Sequence, residues 1–152
     1  MTMISELSKH VVDILLVEDR AEDAELALMA LKKYNLVNAV KWVKDGEEAL
    51  EYIFAEGRYK NRKIEDMPKV ILLDLKMPKV YGIEVLRKVR GDERVKFIPI
   101  VILTTSNDER DILNAYNLNV NAYILKPVEF VGFLEAMKAI GLFWVLLNQR
   151  PY

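Results

Sequence analysis

Three stretches of the chain are almost purely aliphatic: Ile14-Leu-Leu-Val17, Val70-Ile-Leu-Leu73 and Ile100-Val-Ile-Leu103. Strands of a parallel sheet are covered by helices on both faces, so they lose the polar alternation of a half-wet strand and read as continuous apolar runs. Ala122-Tyr-Ile-Leu125 is similar, whereas Val40-Lys-Trp-Val43 is mixed, as an edge strand would be. Helical periodicity separates these runs. Ala24, Leu28 and Leu31 form one stripe, leaving Glu22, Asp23, Glu25, Lys32 and Lys33 for the wet face. Further helices are predicted over Glu47 to Glu56, Ile83 to Val89 and Asp108 to Tyr116, the last with Ser106 or Asn107 as its N-cap. A final helix is predicted from about Val128 to Leu147, with Phe133, Met137, Ile140 and Trp144 on one face. Strand followed by helix, five times over, predicts an α/β doubly wound sheet.

Length and charge narrow the class. At 152 residues the chain is expected to hold one domain, spanning 13–147 between tails at 1–12 and 148–152, with no room for a second. Within it Gly57 to Met67 carries Arg58, Lys60, Arg62, Lys63, Glu65 and Asp66, and reads as a solvated polar insertion loop in preference to a specific binding element. The net charge of -1 supplies no field for nucleic acid or an anionic membrane, so direct contact with either is not expected. Cysteine is absent and the single histidine, His10, falls in the N-terminal tail. That excludes disulfides, thiol catalysis and a cysteine-ligated metal, and argues against a histidine-based site. Met1 to His10 has no apolar signal region, and the apolar stretch Leu142 to Leu147 is too short to span a bilayer, so a cytoplasmic location is expected.

Candidate chemistry gathers where the strands end. In an open parallel sheet, ligands bind beyond the carboxyl ends of the strands, near the point where strand order reverses. The first strand ends in Glu18-Asp19, the third in Asp74, the fourth in Thr104-Thr105 and the fifth in Lys126-Pro127. Glu18, Asp19 and Asp74 crowd three negative charges, which raises their pKa values unless a cation joins them. A set of carboxylates without His or Cys suits a hard cation, Mg²⁺ above all. Taken singly, Asp19 also reads as a helix cap and Asp74 as a strand-end turn. Lys126 at the same edge can pair with Asp74 and later with a phosphoryl oxygen, or simply snorkel to water. The Thr104 hydroxyl can donate to a phosphoryl oxygen, although a β-branched residue also fits a strand end on its own account.

These residues resemble the receiver domain of two-component response regulators, the CheY-like superfamily. The matches are Glu18-Asp19, Asp74-Leu-Lys-Met-Pro78 followed by Gly82, Thr104, and Tyr123-Ile-Leu-Lys126-Pro127, in order over Asp13 to about Leu147. The polar insertion and Phe143-Trp144 resemble the stand-alone subgroup that serves bacterial phytochrome-type histidine kinases. The resemblance implies a flavodoxin-like (βα)5 fold, a parallel five-stranded sheet in the order 2-1-3-4-5. It implies that Asp74 accepts a phosphoryl group from a sensor histidine kinase. Asp19, Asp74 and the backbone carbonyl of Lys76 would bind Mg²⁺ directly, Glu18 through water, and Thr104 and Lys126 would hold the phosphoryl oxygens. A cis Lys126-Pro127 bond and a switch of Tyr123 from exposed to buried are implied too. The protein would then be a signalling switch rather than an enzyme, with output through protein-protein contact.

Two features add expectations of their own. The last helix is apolar beyond its core stripe, at Leu134, Leu142, Phe143, Leu146 and Leu147. This surplus predicts a homodimer or partner interface, which the resemblance places on the face of the fourth helix, fifth strand and fifth helix. Lys76 is a long cation beside the expected metal, where it would pair with a carboxylate or screen the acyl phosphate from water. Rival readings are a scaffold that never takes phosphate, and a haloacid-dehalogenase-like phosphatase, which would want an acid where Lys76 stands. Nucleotide hydrolysis would want a Gly-Lys-Ser/Thr loop. Flavodoxin-like cofactor binding would want a phosphate loop where Asp19-Arg20-Ala21-Glu22 lies.

Overall fold

The structure is a computed structural model that describes residues 14–33, 40–77, 79–126 and 132. Both tails, Pro127 and its peptide bond, the helix expected over Val128 to Leu147 except Gly132, and with it Leu134, Leu142, Phe143 and Leu146, lie outside the described residues. Five strands, β1 (Ile14–Val17), β2 (Val40–Val43), β3 (Val70–Leu73), β4 (Ile100–Thr104) and β5 (Ala122–Leu125), form one sheet in the order β2-β1-β3-β4-β5. Every pairing is parallel. Four helices connect them: α1 (Ala21–Lys33), α2 (Gly46–Phe54), α3 (Gly82–Arg90) and α4 (Glu109–Asn117). The expected α/β architecture and strand order are both present.

Strand period divides the core into two layers. Leu15, Val17, Ile71, Leu73, Ile100 and Ile102 point to one face, where they meet Ala49, Tyr52 and Ile53 of α2 and Val85, Leu86 and Val89 of α3. Ile14, Leu16, Val70, Leu72, Val101 and Leu103 point to the other, against Ala24, Ala27, Ala30 and Leu31 of α1. Burying each large aliphatic side chain stabilises the fold by about 1.5–3 kcal/mol. The central strands are buried along their whole length and β2 is only half-buried, as its mixed sequence predicts.

Helix ends follow capping chemistry and correct the sequence reading by a residue or so. Asp45 starts α2 by accepting from the Glu48 N–H at 2.7 Å, and Ala55 ends it in the left-handed region with φ 54. The N-cap of α4 is Asp108, whose side chain accepts from the Arg110 N–H, and not Ser106 or Asn107. Ser106 is engaged elsewhere: its hydroxyl donates to Asp111 Oδ2 at 2.5 Å and accepts from the Asp108 N–H at 3.3 Å.

The insertion is more than a solvated loop. Arg58, Lys60, Lys63 and Glu65 do face water, but Tyr59, Ile64 and Met67 pack against the core. The Tyr59 hydroxyl donates to Glu48 Oε2 at 2.5 Å, and its ring meets Tyr52 edge-on at 5.0 Å. Arg62 stacks over Tyr52 at 3.8 Å and donates to the Asp66 carbonyl at 2.7 Å. A run of charges hid three apolar anchors.

Candidate functional site

The crevice at the carboxyl ends of β1 and β3 is where chain direction across the sheet reverses, because β1 sends one connection to β2 and the chain then crosses to β3. The ladder continues one residue past the strands. The Glu18 N–H donates to the Val43 carbonyl at 3.1 Å, Asp74 N–H to Val17 at 3.1 Å, and Lys126 N–H to Thr104 at 2.8 Å. The first residues after β1, β3 and β5 are therefore held as firmly as the sheet itself. On the outer side Trp42 of β2 donates its indole N–H to the Glu18 carbonyl at 2.8 Å, tying the acidic loop to the edge strand.

Glu18, Asp19 and Asp74 each offer a carboxylate oxygen, and these atoms lie within 4.8 Å of one another. Glu18 and Asp74 are buried and Asp19 is exposed, so the cluster opens to solvent on one side. Burial pushes the Glu18 carboxyl up to about 7; the hydrogen bond from Lys126 opposes that rise and the Asp74 charge adds to it. An all-oxygen acidic pocket with one wet side fits a hard divalent ion that retains waters. Asp74 Oδ1 also accepts from the Lys76 N–H at 3.2 Å.

Lys126 answers the crowded charge. Its Nζ bonds Glu18 Oε2, Asp23 Oδ2 at 3.0 Å and Asp74 Oδ2 at 3.3 Å, with the side chain 7% exposed. Burial pulls the ammonium's pKa down, but the hydrogen bonds to Glu18 and Asp23 and the nearby Asp74 charge outweigh it, and the net shift is upward. Asp23 escaped the sequence reading, which placed it on the wet face of the first helix. Only its place in the first turn after Glu18-Asp19 could have drawn attention to it.

A close approach at the start of α3 fixes the acceptor loop. A Cβ on Gly82 would lie 2.2 Å from the Asp74 carbonyl, and the Gly82 N–H donates to the Leu75 carbonyl at 3.0 Å. Only glycine lets α3 begin this near the backbone of Asp74. The Lys76 side chain turns away from the acidic cluster to Asp111 of α4, at 3.8 Å. Its expected carboxylate partner therefore exists, but on α4. Thr104 is buried at the end of β4, with its Oγ1 accepting from the Ser106 N–H at 3.4 Å. Tyr123 is half-buried, and its hydroxyl donates to the Ser106 carbonyl at 2.8 Å. Ser106, buried and read from the sequence only as a helix cap, thus touches Thr104, Tyr123 and Asp111 together.

Residues 14–138 match the response regulator receiver domain, and the chain belongs to that family. Among curated relatives it is similar to the probable methanogenesis regulatory protein FilR2 of Methanothrix harundinacea, 37% identical over 139 residues, covering 91% of this chain and 86% of that one. It is likewise similar to response regulator Rcp1 of Synechocystis, 36% identical over 132 residues, 87% of this chain and 88% of that one. The solved Mn(2+)-bound form of Rcp1 superposes with a TM-score of 0.74 at 34% identity, covering 91% of this chain and 98% of that one. The bacteriophytochrome response regulator RtBRR superposes with a TM-score of 0.80 at 49% identity, covering 93% of this chain and 84% of that one. The receiver family is a signalling domain and not a classical enzyme.

Proposed function

We propose that Asp74 accepts a phosphoryl group from the phosphohistidine of a sensor kinase, and that the chain signals by a contact whose strength depends on that group. The observation that carries the reading is the setting of Asp74. Its carboxylate is buried, one oxygen faces the Lys126 ammonium, and two further acids converge on it. An Asp74 oxygen would attack phosphorus, the P–N bond to histidine would break, and the imidazole would leave carrying the electron pair and take up a proton. The product is an acyl phosphate on Asp74. Positioning and charge neutralisation are what such a transfer requires of a protein.

Asp19, Asp74 and the Lys76 carbonyl would hold a divalent ion directly, with Glu18 acting through water; the acidic oxygen set favours Mg²⁺. When bound, the ion neutralises charge on the phosphoryl oxygens. Lys126 would bind one of those oxygens, and the Thr104 hydroxyl would donate to another. Movement of Thr104 would disturb Ser106, the acceptor of the Tyr123 hydroxyl, so Tyr123 is the switch residue. Output through the face of α4, β5 and the last helix is supported by exposed Leu113 and Tyr116 on α4 and Leu125 on β5. A homodimer on that face, using Leu134, Leu142, Phe143 and Leu146, completes the proposal, as does a kinase of the bacteriophytochrome type, suggested by RtBRR.

Incubation with a small phosphodonor and Mg²⁺, followed by intact mass, tests the reading. One phosphoryl adduct is expected in the native chain and none in Asp74→Asn. An adduct that survives the substitution, or no adduct at all, refutes it.

A further inference from the structure

The geometry points to Asp23 as a positioning residue that holds the Lys126 ammonium in place while its other two partners take part in the chemistry. An ammonium has three N–H donors, and Lys126 Nζ meets three carboxylates: Glu18, Asp23 and Asp74. The three are not equivalent. Glu18 and Asp74 belong to the cluster whose oxygens converge on one point, and Asp23 does not. Under the phosphoryl-acceptor reading, on which this inference rests, Asp74 becomes an acyl phosphate and gives up its carboxylate charge. Glu18 turns to the water shell of the ion. Asp23 alone keeps its charge and its partner from the resting state to the product.

Asp23 is built for that task. It stands in the first turn of α1, where a negative charge is favoured by the helix N-terminus. Its side chain is 21% exposed, dry enough for a charge-assisted bond to matter, and Arg20 Nε stands 3.8 Å away on its outer side. The contact joins residues 103 positions apart, so it fixes the end of β5 to α1 across the mouth of the crevice.

The test compares Asp23→Ala with Glu22→Ala, an exposed acid in the same turn that has no contact with Lys126, and with Asp23→Glu. In Asp23→Ala the rate constant for phosphorylation by a small donor is expected to fall about tenfold, because an ammonium that is no longer held strays from the phosphoryl oxygen it must meet. The Mg²⁺ concentration for half-saturation stays within about twofold, since tenfold would correspond to loss of a comparable bond. Glu22→Ala leaves both values near native and Asp23→Glu restores the rate. A second readout needs no phosphate. The ¹⁵N ammonium signal of Lys126, assigned by its loss in Lys126→Gln, is expected to exchange slowly in the native chain and about tenfold faster in Asp23→Ala. If Asp23→Ala matches native in both readouts, or Glu22→Ala is equally impaired, Asp23 only stabilises its helix and the inference is wrong. If the native chain takes no phosphate, the proposed function fails, and the ammonium signal still decides the role of Asp23.

Discussion

Two cations in this molecule each face three carboxylates, and they differ in how much water surrounds them. Arg58, 47% exposed, approaches Glu51 at 2.6 Å, Glu47 at 3.5 Å and Glu48 at 3.8 Å on the outside of α2. Lys126 makes the same count of partners inside the crevice, with Glu18, Asp23 and Asp74. The Arg58 guanidinium keeps about half of its side chain in water, so solvent and salt screen it, although Glu48 and Glu51 beneath it are only 14% and 25% exposed. In the crevice every charge depends on the others, because little solvent replaces a missing partner. Burial, not the number of ion pairs, turns the second cluster into a place where added charge does work.

Removing each cation separates the two cases. Lys126→Met is expected to have the largest effect, about 3–5 kcal/mol of lost stability in metal-free buffer by urea unfolding, because it strands buried carboxylates. Adding Mg²⁺ recovers part of that loss. A midpoint unchanged from native would mean that water already solvates the crevice. Arg58→Met is expected to shift the midpoint far less, and the shift to vanish near 1 M salt, where the screening length is about 3 Å. A salt-insensitive loss would show that the Arg58 cluster is drier than its exposure implies. The smallest effect belongs to Asp92, whose side-chain bonds to Arg94, with the Arg94 N–H, hold its carboxyl down at about 2. The folded state binds that proton less readily than the unfolded chain does, so the stabilisation is complete above about pH 4 and disappears as pH falls towards 2. Stability curves of native protein and Asp92→Asn should converge over that interval; parallel curves would refute the assignment.

How much could be read from the sequence depended on the range of the interaction. The runs at 14–17, 70–73 and 100–103 announced strands because both faces of a central parallel strand are dry, a property written in consecutive residues. Glu18, Asp74, Thr104 and Lys126 were legible as a group because each directly follows, or closes, such a run. Local competition was not legible. Ser106 is a good capping residue by type, yet its hydroxyl is taken by Asp111, and Asp108 caps α4 instead. Long-range contacts were invisible. Nothing near Asp23 signals a lysine 103 positions away, and nothing near Tyr59 signals that Tyr52 waits to receive its ring. The side chain of Lys76 pointed the same way: its cation was legible, its choice of Asp111 was not.

The bond from Trp42 to the Glu18 carbonyl gives the protein an optical gauge of its own. An indole whose N–H is fixed to the peptide beside the acid cluster changes its emission when that peptide shifts, so ion binding and acyl phosphate formation should both register as intrinsic fluorescence. The chain has one other tryptophan, Trp144. In Trp144→Phe the tryptophan light comes from the mouth of the crevice alone, and any shift there can be timed without an attached dye.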